Sequence, residues 1–234
     1  MKKYFILSDI HSQYDLLLAA LDGAGFDIDD STHVLIIAGD VLDRGDQGDS
    51  VIRLLELLIK RERLLGVIGN HDVYLINILN QVYDIKSIIW AGEKNGFYKT
   101  LDLGKNKASD ILGLTEDSMD NIRLNFLKRY PIFCNWIRNL PIYLEFKYHV
   151  IVHAFLDFSL DDWRDTSLRF ATWERRYTEK IPETFTKNLI FGHTPNIMIN
   201  HQNDIIVDSK KIMIDGGAAG GCQINVLVLD ENTI

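Results

Sequence analysis

An α/β fold of two mixed β-sheets flanked by helices is what this 234-residue sequence predicts. Three observations carry that prediction. The first third of the chain alternates short apolar runs with stretches of helical periodicity, which is the signature of a βαβαβ unit with a parallel sheet. The last third holds five further apolar runs separated by turns, with no long helix between them. Residues able to hold a metal ion recur just beyond the ends of several runs, where open α/β sheets place their ligands.

Tyr4-Phe5-Ile6-Leu7 is a continuous apolar run of the kind buried on both faces of a parallel sheet. A helix is expected over Tyr14 to Leu21, closed by Gly23 and Gly25. His33 to Ile37 repeats the strand pattern. A second helix follows from about Asp49 to Arg63, because Arg53, Glu56 and Lys60 recur at helical spacing. Leu64 to Ile68 is the third strand. From Val73 to about Asn139 the chain is mostly helical in character, includes Trp90 and Trp136, and carries no motif that assigns it a role. Strands are expected at Ile142 to Phe146, His149 to Val152, Asn188 to Phe191, Lys211 to Ile214 and Gln223 to Leu229, together forming a second sheet packed on the first.

Bulk properties narrow the class. With 47% hydrophobic and 25% charged residues the chain is globular, and no linker divides it, so residues 1–234 are expected to form a single domain. A net charge of −8 argues against a nucleic-acid footprint, which needs clustered Lys and Arg to displace counterions. The apolar run after Met1-Lys2-Lys3 is too short for a signal peptide or a membrane span. Two cysteines, Cys134 and Cys222, show no pairing or metal signature, so a cytoplasmic location is expected. The last apolar run ends close to Ile234, and control by an obligate regulatory subunit is not expected.

The chemistry-bearing residues are Asp9 with His11, then Asp40, Asn70 with His71, His153, and His193. Asp9 and His11 lie two apart, on one side of an extended chain, and can share an ion. A carboxylate at Asp40 can place one oxygen on each of two ions, while Asn70, His153 and His193 can complete the second. Mixed oxygen and imidazole ligands without thiolate suit Mn, Fe or Zn. Two ions about 3.5–4 Å apart can clamp a phosphoryl group for in-line attack by water. His149 is excluded from the set, since four residues of strand span about 13 Å. His33 and His201 are also left out.

The strings Ser8-Asp9-Ile10-His11, Gly39-Asp40-Val41-Leu42-Asp43-Arg44-Gly45 and Gly69-Asn70-His71-Asp72 resemble three signature blocks of the phosphoprotein phosphatase family within the calcineurin-like metallophosphoesterases. Trp173-Glu174-Arg175, Phe191-Gly192-His193-Thr194-Pro195 and Ile214-Asp215-Gly216-Gly217-Ala218 look like its later blocks. The resemblance implies a metallophosphoesterase sandwich with two divalent cations, manganese first among the candidates. Asp9, His11 and Asp40 would hold one ion, and Asp40, Asn70, His153 and His193 the other. It makes His71 the general acid oriented by Asp43, and Arg44, Asn70 and Arg175 the grip on the substrate phosphate. Arg176 is the rival of Arg175.

This chain departs from the family at Ser12, where Gly is common, at Phe155, also usually Gly, and at Asp72, where protein phosphatases mostly carry Glu and symmetrical diadenosine tetraphosphatases carry Asp. The function expected from the resemblance is dephosphorylation of a phosphoprotein at Ser or Thr, or at Tyr as well, or of another small phosphorylated substrate. Hydroxide activated by the ions would attack phosphorus directly. The alternative enzyme is a symmetrical bis(5'-nucleosyl)-tetraphosphatase, which would need an adenosine-binding surface that the unassigned middle of the chain could supply. The non-enzyme alternative is a scaffold that has lost catalysis.

Overall fold

A computed structural model of the chain describes residues 1–101 and 115–234. Strand β1 (Lys3–Leu7) leads through helix α1 (Tyr14–Gly23) to β2 (His33–Ala38), and through α2 (Gly48–Lys60) to β3 (Leu64–Val67). The three strands pair in parallel, with Leu7 opposite Ile37 and Ala38 opposite Val67, so their carboxyl ends lie side by side. A run of helices follows: α3 (Asn70–Leu79), α4 (Ile85–Asn95), α5 (Phe97–Thr100), α6 (Glu116–Arg129) and α7 (Pro131–Arg138). The helical character expected of the middle stretch holds for these residues, and positions 102–114 of that stretch lie outside the described part.

Alternation along the strands sorts the core into layers. Phe5, Leu7, Leu35 and Ile37 face one way, into a cluster with Leu17, Leu55, Ile78 and Phe133 from the covering helices. Ile6, Ile36, Ala38 and Val67 face the other way, against Ile151, Ile190, Ile212 and Ile214. The latter belong to the second sheet or its immediate continuation. That sheet has the order β4 (Tyr143–Glu145), β5 (His149–Val152), β6 (Asn188–Phe191), β8 (Lys211–Met213) and β7 (Ile206–Asp208). Its outer face, with Val150, Val152, Leu189, Phe191 and Met213, packs on Phe155, Leu156, Ala171 and Phe185. Helices, two sheets and an aromatic cap thus stack in sequence. Among the described residues no helix is long and apolar enough to cross a membrane.

The expected second sheet is corrected at one strand. The last strand, β9 (Leu227–Asp230), joins the first sheet, antiparallel to β1 with Lys3 opposite Asp230. Its alternating exposure suits an edge strand: Leu227 and Leu229 turn toward the layer between the sheets while Val228 is 40% exposed. The sequence order alone did not distinguish the two free edges. Strand β7 and helices α8 (Leu168–Trp173) and α9 (Ile197–Asn200), each six residues or shorter, were not anticipated because they are too short to display a period. Helix α2 ends at Lys60 rather than Arg63, because Glu62 takes a left-handed φ of 54° and the buried Arg63 side chain binds main-chain carbonyls of residues 28, 30 and 33.

The interface between the sheets is entirely aliphatic at its centre. Ile36 has no exposed surface, so Ile36→Ala is expected to destabilise the protein by about 2–5 kcal/mol through lost transfer energy and a residual cavity. Urea denaturation with an unchanged m-value checks this.

Candidate metal and phosphoryl site

Parallel strands with matched register bring Asp9, Asp40 and Asn70 together just past the ends of β1, β2 and β3. The ends of β5 and β6 bring His153 and His193 to the same edge from the second sheet. The chain turns very sharply there. Seven of the eleven described non-glycine residues with positive φ are Asp9, His11, Ser12, Asp40, Asp43, Arg44 and His193. Each costs of order 1–3 kcal/mol and persists only because its surroundings hold it, so the strain is concentrated where these side chains converge. Ser12, at φ 57°, occupies a backbone position for which glycine is the easy choice. Gly69 and Gly192 have a different reason: a Cβ on either would strike a carboxylate of the site, Asp40 and Asp9 respectively.

The imidazoles fall into two kinds. His11 places Nδ1 3.1 Å from the Leu42 carbonyl, His153 places Nδ1 2.8 Å from the Ala38 carbonyl, and His193 places Nε2 3.2 Å from the Trp173 carbonyl. A carbonyl can only accept, so these nitrogens carry the protons and the opposite nitrogens present bare lone pairs. Those lone pairs converge. His153 Nε2 lies 3.0 Å from Asn70 Oδ1, 3.2 Å from His193 Nδ1 and 3.5 Å from Asp40 Oδ2. His11 Nε2 lies 3.6 Å from Asp40 Oδ2 and 3.9 Å from Asp9 Oδ1. Acceptors facing acceptors with no proton between them fit a cation, and ligands about 2.0–2.2 Å from an ion stand roughly 3 Å apart. Outward hydrogen bonds of this kind are what orient metal-binding imidazoles.

His71 is the other kind. Its Nδ1 lies 2.6 Å from Asp43 Oδ2, and its Nε2 is 4.0 Å from Asp40 Oδ2. Burial lowers its pKa, but the Asp40 charge and the Asp43 hydrogen bond outweigh that and raise it to about 9. The ring is an imidazolium with Nε2–H as a donor. By distance alone His11, Asp40 and His71 could form one trio of ligands, and Asp40, His153 and His193 a second. The protonation of His71 separates it from the first trio and leaves Asp9 as the better partner of His11.

Burial sets the carboxylates against their charge. Asp9 is pushed up to about 6 and Asp40 to about 7, in both cases chiefly by desolvation. Burial also drives His11 well below its ordinary range and His193 down to about 2. A cation at the site would reverse the carboxylate shifts.

The remaining residues expected from sequence also gather here. Arg44 donates to Asn95 Oδ1 at 2.9 Å and to the Lys94 carbonyl at 3.1 Å, and Arg175 donates to Thr194 Oγ1 at 3.1 Å. Both arginines line one cleft of about 210 Å³ with Asp9, His11, Asp40, Asn70, His71 and His193. Arg176 is engaged with Glu174 and Glu179 and does not line the cleft. Phe155 packs in the core, edge-on to Phe158 and Phe191, and does not narrow the cleft. His149 stays at the far end of β5, within 3.3 Å of Asn188, away from His153.

Sequence reasoning missed four contributors. Asp72 accepts from the backbone N–H groups of Gly69, Asp40 and Val41 at 2.8, 3.0 and 3.1 Å, tying the second ligand loop to the third. Thr100 both accepts from the Asp43 amide at 3.0 Å and donates to its carboxylate. Asp215, raised well above the usual range by burial and the nearby Asp9, lines the cleft, as does Trp90. Asp72 and Asp215 stood inside recognised blocks and were legible as candidates; Thr100 and Trp90 carried no signal.

Fold and site together define a phosphoesterase of the kind that uses a dimetal centre. Residues 2–212 match the calcineurin-like phosphoesterase family, and the chain belongs to it. It is 31% identical over 129 residues to the symmetrical bis(5'-nucleosyl)-tetraphosphatase of Klebsiella pneumoniae, covering 55% of this chain and 37% of that protein. It is 24% identical over 227 residues to the asymmetrical bis(5'-nucleosyl)-tetraphosphatase PrpE of Oceanobacillus iheyensis, covering 87% of this chain and 82% of that protein. The fold is similar to that of the cold-active protein-tyrosine phosphatase of a psychrophilic Shewanella species, with a TM-score of 0.62 and 18% identity over 99% of this chain and 76% of that one.

The proton accounting of the site can be measured. At pH 5 Asp9 and Asp40 hold protons that a cation must displace, whereas His11 and His193 are already unprotonated. Mn affinity is therefore expected to rise between pH 5 and about 7 and then level off, with proton release that shrinks over the same range. Calorimetric titration in buffers of different ionisation enthalpy checks this, and an affinity that falls as pH rises would contradict it.

Proposed function

We propose that this protein is a metal-dependent hydrolase of dinucleoside polyphosphates, with Asp9, His11 and Asp40 holding one cation and Asp40, Asn70, His153 and His193 the other. The observation that supports this most directly is the division of the imidazoles, three acceptors aimed at shared space and one donor, His71, held by Asp43. The substrate class rests on two kinds of support: the names of the relatives, and a cleft that joins two arginines to two tryptophans, Trp90 and Trp173. Protein dephosphorylation, the first expectation from sequence, has the likeness to a tyrosine phosphatase in fold only. The relatives weigh toward the alternative.

When bound, divalent cations supply positive charge that polarises the phosphoryl group and acidifies water. The protein's own groups do the rest. Arg44, with its guanidinium fixed by Asn95 and Lys94, and Arg175, steadied by Thr194, donate to phosphoryl oxygens and offset the charge that grows in the transition state. The Asn70 amide faces the same phosphate. His71 Nε2–H gives its proton to the departing phosphate oxygen while Asp43 keeps the ring aligned, and the neutral ring then regains a proton from solvent. With pKa about 9 the acid is loaded at neutral pH.

His71→Asn is expected to keep near-normal metal content and to lose 10²–10⁴-fold in kcat, the usual worth of general acid catalysis. Loss of metal from that variant would make His71 a ligand instead. Asp40→Asn is expected to lower the affinity of both ions together, read as metal stoichiometry by elemental analysis.

The substrate reading is tested by comparing diadenosine tetraphosphate with Ser-, Thr- and Tyr-phosphopeptides on the Mn-loaded protein. Hydrolysis of the dinucleotide to two ADP, or to ATP and AMP, with the higher kcat/KM is expected. A tenfold preference for any phosphopeptide reverses the assignment. An aryl phosphate left untouched with Mn, Fe, Zn and Co demonstrably bound leaves the inactive scaffold.

A further inference from the structure

Trp90 is the one exposed tryptophan among the described residues, at 48% of its surface, and it stands at the cleft that also holds Asp9, Asp40 and His71. Helix α4 buries Ile88, Ala91, Gly92 and Asn95, a stripe at helical spacing that fastens it to the core. Trp90 lies off that stripe, so packing of the helix does not account for it. Among the described residues its indole has no ring partner, whereas Trp163 and Trp173 each have one or more and Trp136 packs on Phe133. A large flat apolar surface left open beside a cluster of charged groups is the arrangement of a stacking platform.

Two further features fix the chemical class of what it stacks on. The same helix carries the two acceptors that hold the Arg44 guanidinium, Lys94 O and Asn95 Oδ1, so the element that presents the indole also anchors the arginine of the cleft. And the cleft, at about 210 Å³, is smaller than the 300–1,000 Å³ usual for a small-molecule pocket, so a group attached to a phosphate held at Arg44 and Arg175 would extend over its rim. We propose that Trp90 is a nucleobase platform, the specificity-determining contact for a nucleoside joined to the reacting phosphates. This rests on the substrate reading above and adds to it the residue that recognises the base.

The test uses the full, Mn-loaded chain with diadenosine tetraphosphate and, as a substrate without a ring, inorganic tripolyphosphate. Base stacking lost on truncation to alanine is worth roughly 5- to 150-fold per base. In Trp90→Ala the ratio of kcat/KM for the dinucleotide to that for tripolyphosphate is expected to fall at least tenfold, mainly through KM, and in Trp90→Phe to recover to within about threefold. An unchanged ratio, or a fall in Trp90→Phe as large as in Trp90→Ala, overturns the platform. Direct titration with AMP separates this proposal from the substrate reading. If the wild type cleaves no dinucleotide the substrate reading fails by itself, and AMP still decides the platform: binding at least tenfold tighter to wild type than to Trp90→Ala sustains it, and equal or absent binding sinks it.

Discussion

The buried carboxylate of Asp40 is the group on which the rest of the site depends. It sits among His11, His71 and His153, with its Oδ2 between 3.5 and 4.0 Å from a nitrogen of each. Desolvation alone pushes it toward the neutral acid, and two nearby carboxylates, Asp72 and Asp43, push the same way. What keeps the position useful is the set of groups that favour charge: the His71 imidazolium and the His71 amide, which donates to Oδ1 at 2.9 Å. These alone do not restore the ordinary range. The deficit that remains is a physical reason for the site to suit cations, since one positive charge near His11 and Asp9 and another near His153 and His193 would both stabilise the Asp40 carboxylate.

Holding such an arrangement requires a frame that does not relax. The left-handed turns at Asp9, His11, Asp40 and His193 all follow strands whose side chains are buried on both faces. Relaxing any of these turns would move a ligand and disturb the aliphatic layer between the sheets, where Ile6, Ile36, Ile151 and Ile190 interlock. Asp72 adds a local brace, because its three backbone hydrogen bonds join the loop after β2 to the start of α3. Stability of the core and strain at the sheet edge are therefore coupled, and the strain persists because the close-packed layer resists it.

This coupling explains which parts were legible in the sequence. Strands β1 to β3 announced themselves through continuous apolar runs, and the candidate ligands only jointly, because a single Asp or His after a strand is usually a cap or turn residue whereas five such clusters at strand ends are not. Asp9, His11, Asp40, Asn70, His153 and His193 were found that way, and the structure brings them together. The edge strand β9 was assigned to the wrong sheet, because pairing of Lys3 with Asp230 is a contact between chain ends that no local pattern encodes. Thr100 was invisible for a similar reason. Its hydroxyl meets Asp43 across 57 positions, and a threonine in a helical stretch has no distinguishing period. Trp90 looked like any aromatic residue of a helical segment until the fold set it beside Arg44.

The division of labour within the molecule follows from these differences. Chemistry at phosphorus needs ligands fixed to fractions of an ångström, and only the paired strand ends, braced from both sheets, can supply that. Recognition of what the phosphate is attached to has no such demand. It can be carried by a helix that rests on the core through a few residues, as α4 does through Ile88, Ala91 and Gly92, and that reaches the site through the Arg44 guanidinium. Changing the outward residues of such a helix alters the rim of the cleft without moving Asp40 or His71. On the proposed reading, substrate preference is therefore to be sought in the outward residues of α4, while the strand ends carry the chemistry at phosphorus.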